Sequence, residues 1–232
     1  MQQLPLNLKL VQPSFSFANY IADRNDAVLQ QIQAILAGRP PHLFYVWGDS
    51  GTGKTHLLHA ATQWLQAHGK MALYLPMAQL LDESPDLLLH LGAVDGLCLD
   101  DIQAIAGKAD WEHALFALFN QVLDLQIPLL IAANQAVAQL NFQLHDLVSR
   151  LVWGGVFQLS PLKPSAQEEL LQQTAHNLGL ALPAPVAQYI LKHFAQHNSH
   201  ELLAFLQQLD QAMLVRKQRL SIAFIQSQLK KR

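Results

Sequence analysis

Gly48-Asp49-Ser50-Gly51-Thr52-Gly53-Lys54-Thr55 is the stretch on which the reading of this chain turns. It matches G-x-x-x-x-G-K-[ST] in full. In that pattern glycines let backbone N–H groups turn inward around phosphate oxygens, and the following helix presents its positive end to them. Lys54 is expected to reach the β- and γ-phosphates, and the Thr55 hydroxyl to ligate Mg2+. The motif has this meaning only between a strand and a helix. Residues 43–47 form a short apolar run suited to a buried strand, and residues 54–67 place Leu57, Leu58, Ala61 and Leu65 on one helical face before His68-Gly69 stops it.

A loop of this kind needs a carboxylate for the metal, normally at the end of a neighbouring strand. Gly96-Leu97-Cys98-Leu99-Asp100-Asp101 is an apolar run ending in two aspartates. Asp100 is the candidate on the metal side, and Asp101 the candidate for polarising an attacking water. Cys98, the single cysteine, reads as a buried core thiol and leaves no intramolecular disulfide to form. The run 129–133 ends at Asn134, a polar residue placed to orient water or the γ-phosphate. Ligands of open α/β sheets bind at the carboxyl ends of strands, so three such ends make one site.

Outward from there, strand and helix alternate. Helices are expected over 25–36, 54–67, 111–125 and 143–151, and strands over 43–47, 71–75, 97–99, 128–132 and 156–159. That alternation predicts an α/β fold over residues 13–160, a parallel sheet flanked by helices. Beyond Pro161 the pattern is helical only (about 165–178, 184–196, 200–216 and 222–230), with Asn198-Ser199 and Ser221 as helix caps. Residues 161–232 are therefore expected to be a small all-α domain, and residues 1–12 a flexible tail.

Half of the chain (51%) is apolar and 14% is charged, enough for a sizeable core. Its apolar runs fall far short of the roughly 20 residues a membrane span needs, and no signal peptide pattern opens the chain. The expected location is the cytoplasm. A net charge of −2 argues against direct DNA binding, although basic residues collect at Arg216, Lys217 and Arg219 and again at Lys230, Lys231 and Arg232. His193, His197 and His200 read as surface and cap residues, because Asn198-Ser199 breaks the helix that would align them as metal ligands.

The strings Gly53-Lys54-Thr55-His56-Leu57-Leu58-His59-Ala60 and Leu99-Asp100-Asp101-Ile102-Gln103 resemble the AAA+ domain of the bacterial initiator DnaA. Ser149-Arg150-Leu151 with Trp153-Gly154 resembles that family's arginine-finger segment, and the likeness runs from about Phe15 to Arg232. It implies a P-loop AAA+ domain with a small helical lid, and His56 among the nucleotide-binding residues. DnaA continues into a helix-turn-helix domain, for which no residues follow Arg232, so the resemblance is to the family's Hda branch. Hda-like proteins carry an N-terminal Q-L-x-L-x-L that docks on the DNA polymerase sliding clamp. Here Gln3, Leu4, Leu6 and Leu8 fit it, and a tail with apolar anchors and one amide suits capture in a groove.

The resemblance implies an adenine nucleotide with Mg2+, self-association, and two partners, DnaA and the clamp. In that family the clamp-bound regulator stimulates hydrolysis of the ATP held by DnaA. Arg150 is then the residue acting in trans, stabilising charge on the transferring phosphoryl group; the alternative is a helix-end arginine paired with Asp146. His200 falls where DnaA-like lids place an arginine on the phosphates. An imidazole offers no bidentate fork, which implies a weaker hold on the γ-phosphate and ADP favoured over ATP. Phe15, Phe17 and Tyr20 read first as packing of the leading segment, so the base is poorly specified. An autonomous ATPase that loads or remodels a replication protein, and a pure adaptor working through residues 3–8, remain open beside this reading.

Overall fold

The computed structural model describes residues 15–194, 198–216 and 220–229; Gln3, Leu4, Leu6, Leu8 and His197 lie outside them. The strands are β1 (Leu43–Trp47), β2 (Ala72–Pro76), β3 (Gly96–Asp100), β4 (Leu129–Ala133) and β5 (Gly155–Gln158). They form one five-stranded sheet in the order β2-β3-β4-β1-β5, with every neighbouring pair parallel. Helices α1 (Asp26–Leu36), α2 (Lys54–Ala67), α3 (Ala109–Leu125) and α4 (His145–Leu151) cover it.

The continuous apolar character of β1 follows from burial on both faces. Leu43 and Tyr45 pack into a core with Leu115 and Phe119 of α3 and Leu147 of α4. Phe44 and Val46 pack into the other, with Ile32 of α1 and Leu57, Leu58 and Leu65 of α2. Cys98 is fully buried in that second core. Because α2 carries the chain from the middle of the sheet to its edge strand β2, the chain returns through β3 and β4 toward β1. The loops after β1, β3 and β4 therefore open on the same sheet end, which is what assembles the site.

Helices α5 (Pro164–Asn177), α6 (Ala184–His193), α7 (Ser199–Arg216) and α8 (Ile222–Leu229) enclose a separate core around Leu171, Ile190, Phe194, Phe205, Leu206 and Ile225.

Several boundaries differ from the sequence reading by one to three residues, and at two of them a polar group is committed elsewhere. Helix α1 begins one residue later than expected, and Asn25 does not cap it. Its amide instead donates to the Ser160 carbonyl (3.0 Å) and accepts from the Ser160 N–H (2.9 Å). Helix α4 begins at His145 rather than residue 143, because the N–H groups of Gln143 and Leu144 both donate to the Glu112 carboxylate (2.8 Å each).

Candidate functional site: the phosphate loop and its surroundings

The loop between β1 and α2 needs its glycines at two places. Gly51 (φ +80°) and Gly53 (φ +95°) lie in the left-handed region that side chains disfavour. Asp49 and Ser50 are exposed at the tip, while Gly48 is buried against the Leu159 carbonyl. The Thr52 hydroxyl donates to the Asp49 carbonyl (2.8 Å) and closes the turn. Lys54, the first residue of α2, is nearly buried; its Nζ donates to the carbonyls of Gly48 (2.7 Å) and Asp49 (2.8 Å). Burial pulls its pKa below the usual lysine value, against the opposing pull of Asp100, Asp101 and Asp49.

Asp100 ends β3 at 2% exposure. Its Oδ2 accepts from the Thr55 hydroxyl (2.7 Å) and from the Tyr74 hydroxyl (2.8 Å), and its Oδ1 from the Asp101 N–H (3.0 Å). Burial raises its pKa, and the Thr55 and Tyr74 donors offset part of that rise. Asp101 sits at φ +54°, in the left-handed region. Gln103 Nε2 donates to Asp101 Oδ1 (2.9 Å), and Gln103 Oε1 accepts from the Asn134 N–H (3.2 Å). One amide thus ties the ends of β3 and β4 together. The Asn134 side chain is exposed beside it.

The side of the loop facing the leading segment is aromatic. Tyr74 stacks on His59 (centroids 3.9 Å apart), and His59 stacks on Phe15 (5.2 Å). His56 meets Phe15 and Tyr20 edge-on. His56 Nε2 lies 2.9 Å from the Ser16 carbonyl; a carbonyl only accepts, so Nε2 carries the proton. Burial lowers the pKa of both His56 and His59, keeping them neutral. The His56 side chain is thereby committed to the Ser16 carbonyl.

The lid touches the loop directly. A Cβ on Gly51 would lie 2.9 Å from the His200 N and 3.0 Å from the Ser199 N, so the first amides of α7 abut the cradle. Asn198 caps α7, accepting from the Glu201 N–H (3.0 Å) and donating to Glu201 Oε1 (2.9 Å). His200 is at this helix start with its side chain exposed. Beneath it, residues 160–163 are held by the segment before α1. Arg24 donates to the Pro161 carbonyl (3.0 Å), Asp23 accepts from the Lys163 N–H (2.9 Å) and pairs with its ammonium (3.5 Å), and Asn25 holds Ser160 as described.

Arg150 sits near the end of α4. No ion pair joins it to Asp146 among the described residues; its guanidinium carbon lies instead 4.1 Å from the centroid of the Trp153 ring. Trp153 is 63% exposed, and the exposed Val152 and Val156 flank it.

Most residues singled out in the sequence come together here: Gly48 to Thr55, Asp100, Asp101, Asn134 and the backbone of His200. Arg150 stands apart on α4. Tyr74, Gln103, Glu112 and the Asp23–Asn25 clamp join the site without having been assigned a role from the sequence pattern. Gln103, two residues after Asp101, was open to a local reading. Tyr74 bonds Asp100, 26 residues away, and Glu112 bonds Gln143 and Leu144, 31 and 32 residues away, which leaves no local pattern.

The Thr55 hydroxyl beside the buried Asp100 carboxylate offers hard oxygen donors that fit Mg2+, and the surrounding residues fit a nucleotide on two observations. The glycine cradle has no room for a Cβ at Gly48, Gly51 or Gly53, and a buried phenol oxygen, that of Tyr20, lies against Gly53 with no hydrogen-bond partner among the described residues.

Comparison with known proteins agrees with this architecture. The profile of the bacterial DnaA ATPase domain matches residues 11–158, and that of the Hda lid domain matches residues 165–229. A Haemophilus influenzae protein, described as uncharacterized, is 32% identical over 225 residues, covering 97% of this chain and 96% of its own. Domain III of the Thermotoga maritima replication initiation protein DnaA superposes with a TM-score of 0.81 at 21% identity, covering 94% of this chain and 97% of that one. AMPPCP-bound DnaA from Aquifex aeolicus gives a TM-score of 0.70 at 22% identity, covering 86% and 66%. With a parallel sheet flanked by helices and a helical lid, this chain belongs to the DnaA family of AAA+ proteins, and its lid is of the Hda kind.

Proposed function

We propose that this protein is a nucleotide-bound regulator of replication initiation that, together with the DNA-loaded sliding clamp, stimulates hydrolysis of the ATP held by DnaA. The observation that carries the reading is the placement of Arg150. It is on the body that holds a fully built phosphate site, yet it lies on an exposed tryptophan with no carboxylate partner among the described residues. A guanidinium so placed can act on a nucleotide held by another subunit, where such residues contribute on the order of 10³–10⁵ in rate.

In its own site the chain would hold an adenine nucleotide, ADP in preference to ATP, on the amides of residues 48–56, with Lys54 toward the distal phosphates. Thr55 and Asp100 already share a hydrogen bond and would hold Mg2+, which supplies charge neutralisation to the phosphates. Asp101 and Asn134, whose carboxylate and backbone N–H are both bound by Gln103, would orient water. The same trio favours a second reading, an autonomous ATPase, which turnover without DnaA or clamp would support. Gln3, Leu4, Leu6 and Leu8 are the proposed clamp anchors. Cytoplasmic location, self-association and the absence of sequence-specific DNA contacts complete the proposal.

The test mixes the protein with ATP-loaded DnaA and DNA-loaded clamp and follows hydrolysis for wild type and Arg150→Ala. Clamp-dependent stimulation that falls by about 10³ in the variant supports the reading. No stimulation by wild type refutes it.

A further inference from the structure

Tyr20 stands where the leading segment crosses the phosphate loop. Its Cε2 lies 2.9 Å, and its hydroxyl 3.4 Å, from the point that a Cβ on Gly53 would occupy. Its ring meets the edge of His56, in the first turn of α2, at a centroid distance of 5.2 Å and an interplanar angle of 76°. The hydroxyl is shielded from solvent and has no hydrogen-bond partner among the described residues.

A ring at this place is explained by packing: it lies on Gly53 and joins Phe17 at the edge of the core formed by α1 and α2. The oxygen is not. Burying an O–H without an acceptor is costly, and nearly all buried polar groups in folded proteins are satisfied. Phenylalanine would fill the same space without that cost. Gly53 directly precedes Lys54 and Thr55, whose amides open α2 and face the cradle, so the hydroxyl lies beside the positions where anionic oxygens are gathered. Burial also holds the phenol well above its ordinary pKa, so the group there is a donor.

We propose that Tyr20 is a nucleotide-contacting residue whose hydroxyl donates a hydrogen bond to an anionic phosphate oxygen at the end of the cradle where α2 begins. The inference rests on the nucleotide-binding reading above and deepens it. The leading segment becomes part of the binding site rather than packing alone.

The experiment compares the full chain with Tyr20→Phe in two measurements: calorimetric titration with Mg·ADP, and the melting temperature without nucleotide. A contact to a charged oxygen predicts that the ADP dissociation constant rises about tenfold in the variant. Without nucleotide, the variant should melt at the same temperature as wild type or higher, because the unpartnered hydroxyl is gone. Weaker ADP binding with an unchanged or raised melting temperature supports the proposal, since loss of a structural hydroxyl would lower both the affinity and the melting temperature. Equal ADP affinity of the two proteins overturns it while leaving the P-loop reading intact. A variant that melts below wild type without nucleotide assigns the hydroxyl to packing and also overturns it. A wild type that binds no ADP removes the nucleotide reading together with this one.

Discussion

In the phosphate cradle Lys54, Thr52, Thr55 and Asp100 each spend hydrogen bonds on near neighbours, and Lys54 and Asp100 are almost closed off from solvent. At the end of α4, Arg150 rests on Trp153, which is itself 63% exposed. The side chains of the cradle are fixed by bonds within the chain. Arg150 is held by a contact worth about 0.5–1 kcal/mol at an exposed site, so moving the guanidinium costs little. Preorganised groups serve a ligand held by the same chain, whereas a loosely held cation on the surface is suited to serve one held by another.

The largest expected effect is a double dissociation. Arg150→Ala should lower the rate of DnaA-bound ATP hydrolysis by about 10³, leave this chain's own ADP affinity unchanged and move its melting temperature by no more than about 2–4 °C. Lys54→Ala should weaken ADP binding by about a hundredfold or more, as expected for lost charge-assisted contacts. Calorimetry and single-turnover hydrolysis measured on both variants check it. Effects of one variant on both measurements would erase the contrast.

Next comes the join between the two regions. Glu112, 1% exposed, accepts from Gly107, Gln143 and Leu144, so it fixes both the loop after β3 and the start of the helix that carries Arg150. Glu112→Gln offers one acceptor where the loops need two. It should cost about 2–3 kcal/mol in urea unfolding and reduce stimulation more than ADP affinity.

A smaller effect concerns the lid. His200→Arg restores a forked cation at the start of α7 and should shift the ratio of ATP to ADP affinity several-fold toward ATP. An unchanged ratio would show that the exposed side chain at position 200 does not govern the choice.

The smallest effect is on pH. The Lys163 N–H bonded to Asp23, helped by the Lys163 charge, holds this carboxyl below its ordinary pKa. A depressed folded pKa means that the clamp stabilises the fold above the unfolded value near ~3.9 and is lost as pH falls through the lower folded value. Melting temperatures of wild type and Asp23→Asn should therefore differ slightly at pH 6 and converge toward pH 3.

Much of this could be read along the chain because it is local. The P-loop works through consecutive backbone amides at the mouth of one helix, so eight adjacent residues specify it. Continuous apolar runs ending in Asp100 and Asn134 announced buried parallel strands, and the loss of strand pattern after Pro161 announced the helical lid. Each of these signals needs only periodicity or composition within a dozen residues.

The tertiary structure alone decided what those elements are for one another. Tyr20 over Gly53, Tyr74 on Asp100, Asn25 on Ser160 and Glu112 on Gln143 and Leu144 join residues 26 to 135 positions apart. It also set Arg150 on Trp153 where the sequence allowed an equally ordinary pairing with Asp146, two partners within a turn of the same residue. A polar side chain bonds whichever group the fold brings within about 3 Å, and that choice is made by the packing of sheet, helices and lid rather than by spacing along the chain.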